Sequence, residues 1–420
     1  MRFSEYLDAE WKPALGCTEP AAVAHAAALA ASQARGAVRR VVLRVDARTY
    51  KNCHAVGIPN SGRRTGILWA LALGVRLPDA SLGLRCFESV SEAVIAEAGA
   101  LIDQDVLQVE VDAENLDLCI DCIVTGTEGS GRAVLAREHT RLVLLEADGR
   151  RVGGVDGAAP EDAGAVREAL ARMSIRDLMA FAQTLTPEDR QRLREGAARN
   201  LAMAEHGVSL MPEGFVPPEG HDPLTRYSRL VSAGVYARMS GEPLGVVSLA
   251  GSGNKGITVS VPVTLWGRGK GHPQDRIDEA LAFACLMTSS TTFRLGTLSS
   301  ICGAANAAGI GIASGLVLLE GGTPEQVDLA IGNMVGNLAG MICDGAKIGC
   351  AMKTMTGADA AFRSATLALA GFGIPATDGI VGADGESSLA NLGRLAQRGM
   401  TGVDAEVLDI MQGKLSGARV

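Results

Sequence analysis

A chain of 420 residues, 47% hydrophobic and 20% charged, has the composition of an ordinary globular protein and the length for two domains with separate cores. Its formal net charge of −8 is the wrong sign for a protein that displaces counterions from a phosphate backbone, so nucleic acid is excluded as an expected partner. The 52 glycines are roughly twice the usual share of about 7%, so tight turns and close backbone approaches are expected throughout.

The opening MRFSEYLDAEWK carries early acids and no apolar h-region, so no signal peptide is expected. The longest apolar run, AAGIGIASGLVLL, is interrupted by glycines and falls short of the roughly 18 to 20 residues of a membrane helix. A cytoplasmic location without membrane association is therefore expected. EPAAVAHAAALAASQARG predicts a helix, with Pro20 in its first turn and Gly36 as its stop. VRRVVLRVDART alternates as a strand, and the middle of GRRTGILWALALGVRLPDASLG and residues 88–102 are helical in pattern. Strand-like runs follow near 105–112, 117–125, 132–138 and 141–147, separated by turns such as EGSG and ADGR.

From about residue 160 the period becomes helical, 209–223 has the proline and glycine content of a connecting loop, and later residues predict helices punctuated by glycine-rich turns. The expected fold class is α+β. Residues 1–40 supply an N-terminal helix packing on the catalytic domain, and 41–160 form an α+β domain with a mainly antiparallel sheet. Residues 161–222 are a helical connection, and 223–420 form a mainly helical domain.

Nine cysteines in a reducing compartment are free thiols or metal ligands before they are disulfides. Cys343 and Cys350 stand seven residues apart (350 − 343) in ICDGAKIGCAMK, and Cys302 in SSICGAANAAG lies 41 residues earlier (343 − 302). One straight helix would separate the first two thiols by about 10 Å, so a loop folded by Gly345 and Gly349 suits a shared site better. From spacing alone, these three are either small apolar residues in glycine-rich packing or soft ligands for an iron–sulfur centre.

Cys17, in ALGCTEPAA, precedes the alanine-rich helix with Thr18 as a candidate N-cap and Glu19 in the first turn. A thiol at a helix start is expected to have a depressed pKa and to act as base or nucleophile; simple packing is the alternative. YKNCHAVGIPNSG, expected to close a strand in a turn, carries Lys51, Asn52, His54 and Ser61. LAGSGNKGI offers Ser252, Gly253, Asn254 and Lys255 as an anion nest. Lys347, between Cys343 and Cys350, completes the candidate substrate-binding set with Thr18 and Glu19. Cys119 and Cys122 would face opposite sides of a strand, and Cys53, Cys86 and Cys285 show no pattern. His25, His139 and His272 are taken as structural or solvated.

In order, GCTEP, YKN…VGIP, EHT, GSGNKGI, CGAANAAG, GGTPEQV and ICDGAKIGCAMK resemble the L-cysteine desulfidase family over nearly the whole chain. These enzymes work without pyridoxal phosphate and are related to the α-chain of bacterial iron–sulfur serine dehydratases. The resemblance implies α,β-elimination of L-cysteine to sulfide, ammonia and pyruvate, with a small-molecule substrate; the sequence leaves the oligomeric state open, a homodimer being one candidate. It further implies a [4Fe–4S] cluster with one open iron on Cys302, Cys343 and Cys350, Cys17 as the catalytic cysteine, and GSGNKG as the seat of the substrate carboxylate.

Two departures, Asn60–Ser61 after the VGIP proline and Cys53–His54 in place of small or apolar residues, put the exact substrate in question. The chain ends KLSGARV, without the cysteine tail of the dehydratases. Action on serine or another β-substituted amino or hydroxy acid is the nearest alternative. A pyridoxal-phosphate lyase is disfavoured, because Asn254 follows Lys51 by 203 residues (254 − 51). A cluster-based sensor would need a DNA-binding or signalling module, and neither a basic patch nor a helix-turn-helix pattern is present.

Overall fold

A computed structural model describes residues 1–77, 79–115, 117–155, 163–296 and 298–417, with side chains as far as residue 413. The boundary expected at 160–161 lies outside these residues. In chain order the first part contains α1 (Phe3–Glu10), β1 (Trp11–Leu15), α2 (Thr18–Gln33), β2 (Val38–Asp46), α3 (Ala47–Cys53), α4 (Ile67–Arg76), a 3₁₀ segment (Ala80–Ser89) and α5 (Glu92–Asp103). Strands β3 (Leu107–Asp112), β4 (Cys119–Gly126), β5 (Ser130–Ala136), β6 (Leu142–Ala147) and β7 (Arg150–Gly153) follow.

The sheet runs β3-β2-β4-β5-β6-β7, with β2 and β3 parallel and every other pair antiparallel. Ile120, Cys122 and Val124 of β4 point inward with Ala133 and Leu135 of β5, as strand alternation requires. The alanine-rich α2 lies across that face. Its small side chains permit a close approach: a Cβ on Gly131 would overlap the Ala30 carbonyl, and one on Gly74 of α4 the Ala24 carbonyl. Hence alanine is used for proximity as well as for helix propensity.

The second part is mainly helical: α6 (Ala163–Arg172), α7 (Ile175–Ala182), α8 (Pro187–Val208), α9 (Pro223–Met239), β8 (Gly245–Leu249), α10 (Gly253–Gly269), α11 (Gln274–Leu295), α12 (Asn306–Leu319), α13 (Pro324–Leu338), α14 (Cys350–Leu369), α15 (Gly385–Arg394) and α16 (Val403–Gly417). Among the described residues no single helix is long and apolar enough to cross a membrane. Strand β8 pairs antiparallel with β1, Trp11 opposite Leu249 and Leu15 opposite Gly245. This two-stranded ribbon joins the two parts and sets Cys17 beside the start of α10.

The structure corrects two local expectations. Residues 47–53 are a helix, because the Asp46 carboxylate accepts the N–H groups of Arg48 and Thr49 and caps α3. Lys51 and Asn52 therefore sit on a buried helix and not on a strand-end loop. The helix expected over 88–102 begins at Glu92, with Ser91 as its N-cap.

Candidate functional site

Cys17 is the N-cap residue of α2, and Ser252 holds the same position on α10. Thr18 Oγ1 donates to the Gly251 carbonyl at 3.3 Å, joining the two helix starts. Behind them the buried Arg238 of α9 donates from Nη2 to the Gly16 carbonyl at 2.5 Å and from Nη1 to Asn254 Oδ1 at 2.9 Å. Gly253 is required there, since a Cβ would overlap the guanidinium.

The thiol-bearing segments meet as a short antiparallel zipper. Ile301 bridges Ile342, the Cys302 N–H donates to the Met341 carbonyl at 2.9 Å, and the Cys343 N–H donates to the Ser300 carbonyl at 2.7 Å. Chain reversal after Cys343 uses Gly345 at φ 94°, pressed against the Lys51 carbonyl, and Cys350 then opens α14. The Asp344 carboxylate accepts from Lys347 and Lys353; burial alone would raise its pKa, but the two ammonium groups outweigh it and bring it to about 2. Cys17, Cys302, Cys343 and Cys350 thus line one cavity of about 100 Å³, together with Thr18, Glu19, Asn52, His139, Arg238, Ser252, Asn254 and Lys255.

Substituting Gly345 tests this packing. Gly345→Ala is expected to lower the unfolding midpoint and to open the thiol loop, through a strained positive φ costing about 1–3 kcal/mol plus the overlap with Lys51. Gly62→Ala, at φ 65° but with nothing within 4 Å, carries the backbone strain alone. Equal effects of the two on thiol alkylation rates would show that the Lys51 contact is irrelevant.

Cys302 is pushed up to about 12, first by burial and then by Cys343 and Cys350 nearby. A buried thiol held neutral, as at Cys302, is a natural source of the proton that metal binding releases. Among the described residues, no three His, Cys, Asp or Glu side chains converge on one point as a single ion demands. A cubane makes a different demand, because each thiolate binds a separate iron at a separate corner around a shared space. Three thiols spread around one cavity fit that group.

Cys17 contradicts its expected depressed pKa. Burial, followed by the charge of Glu19, raises the thiol well above its ordinary value against the opposing pull of Arg238. Its Sγ donates to Glu19 Oε2 at 3.2 Å, while Oε1 accepts from Asn52 Nδ2 at 2.9 Å. His139 Nε2 faces the same Oε1 across 3.9 Å without a hydrogen bond, and burial lowers the imidazole's pKa despite Glu19, which favours the neutral ring. Lys255 is brought down to about 7 by burial and then by Arg167; its Nζ donates to the Ala250 carbonyl at 3.1 Å.

Four expected substrate contacts lie elsewhere. Lys51 Nζ donates to the Cys343 carbonyl at 2.8 Å and pairs with Asp404 at 2.5 Å, so it is a strut beneath the thiol loop. His54 packs against Tyr50 with ring centroids 6.0 Å apart. Ser61 closes its own turn, donating to the Ile58 carbonyl at 2.7 Å and accepting the Arg64 N–H at 3.0 Å. Lys347 donates to the Asp344 and Gly345 carbonyls and braces the loop from within. Arg238 and His139 were not among the expected site residues. His139 stands in the EHT motif and could have been chosen, whereas Arg238, in the last turn of α9, looks like an ordinary helix-end base.

A family model described as serine dehydratase alpha chain matches residues 91–409. A UPF0597 protein of Geobacter sulfurreducens is 36% identical over 424 residues, covering 99% of both chains. Others from Oleidesulfovibrio alaskensis and Clostridium tetani are 38% and 32% identical, covering 98% and 97% of both chains respectively.

Proposed function

The chain belongs to the serine dehydratase alpha-chain family, and we propose that it is an iron–sulfur L-cysteine desulfidase, releasing sulfide, ammonia and pyruvate. The observation that carries this proposal is the gathering of Cys302, Cys343 and Cys350, from two distant segments, on the same cavity as a Cys17–Glu19 pair. Cys302, Cys343 and Cys350 would hold a [4Fe–4S] cluster. When bound, the cluster supplies a soft Lewis acid at the one iron without a protein ligand, suited to a departing thiolate more than to a hydroxide.

The chain's own residues supply the remaining chemistry. First-turn N–H groups of α10, with Ser252, Asn254 and Lys255, present donors to the substrate carboxylate, and Arg238 fixes Asn254 in place. Glu19 is positioned to take the Cys17 proton, leaving a thiolate to take the proton from Cα. The Cα–H electrons form the Cα=Cβ bond as the Cβ–S bond breaks and sulfide departs. Aminoacrylate then tautomerises to an imine, and water converts it to pyruvate and ammonia. Asn52 keeps Glu19 oriented throughout.

An anaerobic assay tests the proposal. L-Cysteine is expected to yield sulfide and pyruvate in equal amounts, with a higher kcat/KM than L-serine. A higher kcat/KM on L-serine would make the protein a dehydratase, the activity that the family's description names.

A further inference from the structure

We infer that Asp404, on the C-terminal helix α16, is a positioning residue that clamps the two thiol-bearing segments together, an inference that rests on Cys302, Cys343 and Cys350 acting as one ligand set. The Asp404 carboxylate is 1% exposed and gathers groups from widely separated parts of the chain. Oδ1 accepts from Lys51 Nζ at 2.5 Å, and Oδ2 accepts from Ser300 Oγ and Arg48 Nε, each at 2.9 Å.

Two of these partners hold the same residue, Cys343, from its two sides. Ser300 lies two residues before Cys302, and its carbonyl accepts the Cys343 N–H at 2.7 Å. Lys51, 1% exposed, donates a second bond to the Cys343 carbonyl at 2.8 Å. The N–H of Cys343 and its carbonyl are thus both held by groups that meet on one carboxylate. Without that carboxylate, Lys51 is a buried ammonium with too few acceptors, and it must move to find water or another partner. Cys343 moves with it.

Helix α16 has independent means of staying in place. Val407, Leu408 and Met411 are buried, and Leu408 joins the core beneath the six-stranded sheet. The clamp is therefore separable from the docking of the helix, which lets its role be measured without unfolding the chain.

The probe is phenylarsine oxide, a trivalent arsenical that bridges neighbouring thiols, titrated into full-length apo-protein, with Cys302→Ala setting the background from the other cysteines. Asp404→Asn and the milder Ser300→Ala are compared with Asp409→Asn, which removes an exposed carboxylate from the same helix. Both clamp variants are expected to weaken capture above background, and to retain iron about 10–100-fold less tightly after anaerobic reconstitution, the usual scale for an outer-shell partner. Far-UV circular dichroism should remain that of wild type. Ser300→Ala decides the matter if Asp404→Asn does not fold.

Wild-type capture at the background level, or capture by both variants equal to wild type, overturns the clamp whatever the iron content. Wild type that captures the arsenical but takes up no iron contradicts the cluster while the clamp stands or falls on the variants' capture alone.

Discussion

Replacing Cys302, Cys343 or Cys350 by alanine is expected to strip the iron from the chain and abolish sulfide release. The three thiols enter one cavity from two chain segments, so none can substitute for another: Cys302 and Cys343 are fixed by the backbone zipper between 300–302 and 341–343, and Cys350 by the first turn of α14. A cubane left with two protein thiolates is poorly retained. Cys285→Ala is the matched control, because that thiol is buried in the helical core and lines no part of the cavity. Full iron content in all three variants would sink the ligand assignment. Loss in only one or two of them would show that the remaining thiol is packing.

Cys17→Ser is expected to keep the iron and lose most turnover, by about 10²–10⁴ in kcat, the usual cost of removing a general base. Serine can preserve the hydrogen bond to Glu19, so the cavity should retain its shape while losing an ionisable thiol. Glu19→Gln should cost turnover on the same scale, because the amide cannot take the Cys17 proton. These two variants also separate the roles of Cys17. Iron lost from Cys17→Ser would make that thiol a fourth resting ligand, and full activity would move proton transfer to another group such as His139 or Lys255.

The value of the local pattern in the sequence depended on how much of each answer was local. Alternation placed the strands now seen at 107–112, 119–126, 130–136 and 142–147 within a few residues, because those side chains face a core on one side. Strands β1 and β8 escape the local pattern: each is five residues long, β1 contains Pro13, and their meaning lies in pairing across 230 residues (245 − 15) or more. The role of Lys51 was hidden for the same reason, since its partner Asp404 is 353 residues away. Cys17 was placed correctly at a helix start, yet the expected effect of that position is outweighed by burial and by a carboxylate two residues along. Arg238, in the last turn of α9, has the ordinary appearance of a helix-end base and becomes meaningful only when Gly16 and Asn254 converge on it.

The most direct test of the central claim is the iron and acid-labile sulfide content, per chain, of wild-type protein isolated and kept without oxygen. About four of each per chain is the expected result. Protein that converts L-cysteine to sulfide and pyruvate while carrying less than about one iron per chain would contradict it.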